Sequence, residues 1–175
     1  EQFLLGMGGQ SIESAATLGL SFVYGVFPYI PQDPVELAKS LSKKYRSTFK
    51  SGPHSRPSNF VLAVFVVIAD TSEEAEEMAK PLDLWMLGKQ DFSEFHTFPT
   101  QKDVETYELT QRDREKIASN RSRLIVGNPR EVYEQMEALR AVSNPDELLF
   151  IPLVGSIEKR KRSVELLAEL YKGER

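Results

Sequence analysis

The stretch FVLAVFVVIADTSEEAEEMAKPLDLW, residues 60–85, decides the fold. Its first part, residues 60–69, is unbroken apolar sequence rich in Val, Ile and Phe. A strand with one wet face would alternate apolar and polar residues. An unbroken run belongs to a strand covered on both faces, as in parallel sheets. The sequence then turns polar at Asp70. Thr71 and Glu74 have the spacing of a capping box, so a helix is expected to start here and run to about Leu87. A buried strand followed at once by a capped helix is one β/α unit.

The same alternation extends in both directions. Upstream, residues 3–7 are short, apolar and closed by glycines, which reads as a buried strand. Residues 11–18 are helical, with Ile12, Ala15, Ala16 and Leu18 on one side and Gly19 placed to end the helix. Residues 22–27 form a second strand. An irregular Pro-rich connection, an amphipathic helix over 35–49 and a polar loop over 50–59 follow. Downstream, residues 90–110 have no clean period and read as a long excursion, and a polar helix covers 111 to about 120. Residues 123–126 are strand-like. Asn128 and Pro129 then supply an N-cap and a first helical residue for a helix to about Val142. The last strand spans 147–153 and the last helix 156–171. Strand–helix four times over, with additions, predicts an α/β protein of right-handed parallel units, one domain over residues 1–175.

Composition narrows the function. The chain has 175 residues and is 41% apolar, enough for a real core. Its net charge is -4 with dispersed basic residues, which argues against nucleic acid as a partner. With no cysteine there is no disulfide, thiol nucleophile or cysteine-ligated metal, in keeping with a cytoplasmic location. The longest apolar run is far too short to span a bilayer, so no membrane role is expected. The chain opens at Glu1 almost directly on an apolar run, as a fragment would.

The strongest chemical signal is the turn Gly6-Met7-Gly8-Gly9-Gln10-Ser11, between a strand and a helix. Backbone N–H groups at such a turn, with the helix dipole behind them, hold an anion such as phosphate, and Ser11 adds a hydroxyl. A tight turn whose glycines serve packing explains the same residues about as well. A dinucleotide fingerprint needs a third glycine where Ser11 stands. Tyr24 and Phe27 lie where strand ends face ligand in barrels, or else serve packing. His54 and His96 sit in loops without a catalytic constellation, and no metal-binding pattern occurs. The acids from Asp70 to Glu77 suit dipole and capping roles. Lys159 to Arg162 read as a solvated helix face, and Trp85 as packing.

Four segments in order resemble the bacterial luciferase-like flavin-dependent monooxygenases. FLLGMGGQSIESAATLGLSFVYGVF is similar to that family's fifth and sixth strands, through Gly8, Gly9, Ser11, Ala15, Ala16, Gly19 and Leu20. FVLAVFVVIADTSEEAEEMAKPLDLW resembles the seventh strand and its helix. VGNPREVYEQMEAL resembles the family's Val-Gly-x-Pro-x-x-Val stretch, and DELLFIPLVGSIEKRKRSVELLAELY the eighth strand and last helix. The resemblance implies the C-terminal half of a TIM-type (β/α)8 barrel that binds reduced FMN and oxidises a small organic substrate with O2. Gly8, Gly9, Gln10 and Ser11 would cradle the FMN phosphate, and Met7, Tyr24 and Phe27 would line the pocket. Met7 and Gly8 stand where other members often carry hydroxyl or acidic residues. The family's catalytic histidine has no counterpart among these residues. A flavin reductase and a homodimer are the implied partners. Two other readings stay open: a non-catalytic, flavin-binding or interaction half barrel that dimerises, and a different parallel β/α phosphate-binding enzyme.

Overall fold

A computed structural model describes residues 2–26, 33–51, 57–89 and 94–172. Its contacts divide the chain into two compact units, Glu1–Val64 with Met136–Ile151, and Phe65–Gln135 with Pro152–Arg175.

In the first unit, β1 (Phe3–Gly6) pairs in parallel with β2 (Ser21–Val26), and β2 pairs in parallel with the start of β3 (Phe60–Ile68). α1 (Gly9–Leu18) and α2 (Pro34–Thr48) follow β1 and β2. β5 (Glu147–Pro152), which follows α6 (Pro129–Ser143), also pairs with β3. The core is aromatic: Phe22, Tyr24, Tyr45 and Phe60 are each fully buried, and their rings meet at 6.0–6.5 Å. The Tyr45 hydroxyl donates to the Leu20 carbonyl at 2.7 Å, so this ring is buried with its polar atom satisfied. α1 ends as its sequence predicts. Gly19 takes φ 67°, and the N–H groups of Gly19 and Leu20 close onto the carbonyls of Ala16 and Ala15.

β1 corrects one expectation. It is not a buried strand: Phe3 is 49% and Leu5 59% exposed. The reason is its place at the end of the strand order, with β2 as its described neighbour. α1 also starts earlier than read, because its first turn takes in Gly9 and Gln10.

In the second unit, the end of β3 pairs in parallel with β4 (Leu124–Gly127). α3 (Ser72–Trp85) follows β3 and buries Ala75, Met78, Ala79 and Leu82 against Val67, Leu124 and Val154. Thr71 accepts the Glu74 N–H at 3.1 Å, but the Glu74 carboxylate reaches Lys159 at 3.4 Å. The excursion is more regular than its sequence suggested. It holds α4 (Gln101–Thr106) and α5 (Gln111–Arg121), each started by a full capping box, Thr100 with Asp103 and Thr110 with Asp113. α7 (Ile157–Leu170) closes the unit, and the Ser163 hydroxyl donates to the Ile68 carbonyl at 3.0 Å.

α5 is held unusually. Its buried residues are Asp113 and Asn120, and it has no buried apolar residue. It docks through polar groups: Lys116 and Asn120 donate to the Leu87 and Met86 carbonyls, and Arg121 makes two bonds to Asp83 at 2.6 and 2.7 Å. Lys89 bonds Asp113 at 2.8 Å. Burial pushes the Asp83 carboxyl up despite Arg121. The Lys89 hydrogen bond, with those from Thr110, holds Asp113 down at about 2. Among the described residues, no helix is long and apolar enough to cross a membrane.

Candidate functional site

The glycine-rich turn of the first unit joins β1 to α1. Gly6 ends β1 opposite Tyr24. Ser11 folds back over Gly6 so closely that a Cβ on Gly6 would lie 2.0 Å from the Ser11 Oγ and 2.5 Å from its Cβ. Glycine at this position is therefore a packing requirement. Gly8 differs. It is the N-cap of α1 with extended backbone, φ −159°, and a Cβ there would meet nothing within 4 Å.

No side chain caps α1 and no acid lies in its first turn. By contrast Asp33, Thr71, Thr100, Thr110 and Ser156 cap α2, α3, α4, α5 and α7. The first N–H groups of a helix have no partner within it and carry about half a positive charge. At α1 no described side chain takes them up, and Gly9 and Gln10 are exposed.

Ser11 donates its hydroxyl to the Gly8 carbonyl at 2.9 Å. Lys44 of α2 adds a cation beside the turn. Its Nζ lies 3.9 Å from where a Cβ on Gly9 would stand, and bonds Glu13 at 2.5 Å. Uncapped N–H groups, open approach and a flanking ammonium together suit a phosphate.

Gly8, Gly9, Gln10 and Ser11 are thus contiguous around one helix start, with Met7, 40% exposed, beside them. Tyr24 is buried and stacks on Phe60 at 6.5 Å. Phe27 and His54 lie outside the described residues. His96 is exposed in a bend. Trp85 packs on Phe98 at 5.8 Å.

The basic run of α7 is an exposed helix face, as read, and two of its arginines are engaged from it. Arg162 pairs with Asp70 at 2.5 Å and holds that carboxyl below its ordinary range, and Arg160 donates to the Val154 carbonyl. Lys44 had no sequence signal at all. It reaches Gly9 only because α1 and α2 pack side by side.

A second polar cluster ties the starts of α3 and α6 together. Glu131 accepts bonds from the Ser72 hydroxyl at 2.8 Å and the Asn128 N–H at 2.9 Å, which hold its carboxyl below the usual range. The Asn128 amide donates to the Ser72 oxygen at 2.8 Å. Every member is satisfied by the others, so the cluster reads as a structural lock. Among the described residues, no group of three or more His, Cys, Asp or Glu is placed to hold a metal.

Comparison with known proteins fits this geometry. The family model described as luciferase-like monooxygenase matches residues 3–143. The chain is 32% identical over 173 residues to the uncharacterized protein YceB of Bacillus subtilis (strain 168), covering 98% of this chain and 50% of YceB. It is 27% identical over 169 residues to the N-acetyl-S-alkylcysteine monooxygenase of the same organism, covering 95% of this chain and 48% of that enzyme. The crystal structure of apo-MsnO8 superposes with TM-score 0.76 at 23% identity, over 97% of this chain and 50% of that one. That likeness shows the fold, parallel (β/α) units of a TIM-type barrel. The chain spans about half the length of the curated relatives it matches.

Proposed function

This chain belongs to the luciferase-like monooxygenase family, and from that premise we propose that it is the C-terminal half of an FMN-dependent monooxygenase. The whole protein would oxidise a small organic substrate with O2. A sulfur compound is the favoured class, because the relative of assigned activity is named for an S-alkylcysteine. The observation that carries the flavin reading is the uncapped start of α1, open at Gly8 and flanked by Lys44.

Reduced FMN, when bound, supplies the two electrons that let one oxygen atom enter the substrate and the other leave as water. This chain's residues bind and orient. The N–H groups at Gly9, Gln10 and Ser11 would donate to phosphate oxygens. The Ser11 hydroxyl would turn from the Gly8 carbonyl to add a further bond. Lys44, released from Glu13, would offset the negative charge.

The test is a fluorescence titration of the full-length protein with FMN and with riboflavin, which lacks the phosphate. FMN should bind more tightly than riboflavin. Ser11→Ala should weaken FMN several-fold, about 1 kcal/mol for one hydrogen bond, and leave riboflavin unchanged. Equal binding of FMN and riboflavin would remove the phosphate cradle. An unchanged FMN affinity in Ser11→Ala would remove Ser11 from it.

A further inference from the structure

We infer that a cleft in the second unit, between α3, residues 97–101 and the turn joining β5 to α7, binds a small organic anion with an apolar body. The cleft measures about 720 Å³. Sites for small molecules commonly span roughly 300–1,000 Å³, mostly apolar with a few placed polar groups. Here Met78, Pro81, Phe98, Pro99 and Val154 form the apolar walls. Met78 and Val154 are buried core residues, and Phe98 packs on Trp85 with the rings tilted at 56°. The rims are fixed too. Thr100 sits in the capping box of α4, Ser156 caps α7, and Gly155 lies beside the Phe98 ring, where a Cβ would make an ordinary contact at 3.4 Å. The cleft is therefore formed in advance of any ligand.

Its charge follows from what each polar group is already doing. Glu77 is paired with Lys80 and accepts a bond from the Gln101 amide at 3.2 Å. The hydroxyl protons of Thr100 and Ser156 go to Asp103 and Glu158. Lys159 is different. Its ammonium has three donors, and its ion pair is a long contact to Glu74 at 3.4 Å. Among the described lining groups, the charge left with donors to offer is positive. An apolar body ending in a carboxylate matches walls and charge together. Glu74 then competes with the ligand for Lys159. This inference does not depend on the flavin reading, and either can fail alone.

The test uses 4-phenylbutyrate and its neutral amide, titrated calorimetrically into the full chain. Trp85, which packs on Phe98 of the cleft wall, reports the site by its emission. The carboxylate should bind saturably and shift the emission, while the amide binds at least about tenfold more weakly. Lys159→Gln should weaken the carboxylate about tenfold, the range of a hydrogen bond to a charged group. Glu74→Gln should tighten it several-fold by freeing Lys159. Both side chains are nearly half exposed, so both variants should fold. Absence of saturable heat with the carboxylate would overturn the inference. So would equal binding of acid and amide, or wild-type affinity in Lys159→Gln.

Discussion

Gly6→Ala is the sharpest probe of how the glycine turn is built. The new Cβ would stand 2.0 Å from the Ser11 Oγ, 2.5 Å from the Ser11 Cβ and 3.2 Å from the Phe22 ring. Rotating Ser11 relieves the first contact and breaks its bond to the Gly8 carbonyl, at about 1 kcal/mol. The second contact survives any rotation, because the Ser11 Cβ is fixed to the helix backbone. The first turn of α1 must move, and Phe22 is fully buried in the aromatic core. Overpacking of this kind costs roughly 1–3 kcal/mol. Together these give a loss of about 2–4 kcal/mol, or a drop in Tm of about 4–16 °C for a chain this long. Gly8→Ala is the control, since its Cβ meets nothing within 4 Å. It should cost no more than about 1 kcal/mol, the difference between glycine and alanine at an N-cap. The assay is thermal and urea unfolding followed by circular dichroism. A loss below about 1 kcal/mol in Gly6→Ala, or equal losses in both variants, would refute the packing argument.

Gly8→Ser should be a gain. A serine N-cap stabilises α1 by a few tenths of a kcal/mol over glycine and offers phosphate another hydroxyl, so FMN should bind several-fold tighter. Higher stability with unchanged FMN affinity would place Gly8 outside the cradle. Gly127→Ala should cost about 2–4 kcal/mol by urea unfolding, since it adds backbone strain to a lost hydrogen-bond network. Gly127 sits at φ 156°, and a Cβ there would lie 2.8 Å from the Glu131 Cβ. A loss under about 1 kcal/mol would show that the Ser72–Asn128–Glu131 lock can yield. Acid should loosen the anchor of α5. Asp113 is lowered from 3.8 to about 2, chiefly by Lys89, so its contribution is whole above the unfolded value and is lost as pH falls through about 2. The stability gap between wild type and Asp113→Asn should therefore shrink between about pH 4 and pH 2, and a flat gap would discount the Lys89 bond.

The fold was largely legible because its signals are local. The apolar run of β3, the Thr71 cap, Gly19 at the end of α1 and Asn128-Pro129 at the start of α6 each act over a few residues. α4 was missed, since six residues without a buried face leave no period to detect, although Thr100 and Asp103 carried the spacing of a cap. The exposure of β1 was not readable from its composition. Phe3 and Leu5 look like core, and only the strand order puts them at an edge. The turn from Gly6 to Ser11 was visible, yet the separate duties of its glycines were not. Gly6 makes room for Ser11, whereas Gly8 leaves space open. Lys44 needed the tertiary pairing of α1 with α2, which no spacing along the chain encodes.

The docking of α5 has a consequence for how such proteins diversify. Lys116 and Asn120, one helical turn apart, grip the carbonyls of Leu87 and Met86 that the end of α3 leaves free. Main-chain oxygens are present whatever side chains surround them. A helix moored in this way needs only a few fixed positions to keep its berth, and its other residues can vary without disturbing a core. New surface chemistry could be tried on α5 at little risk to folding.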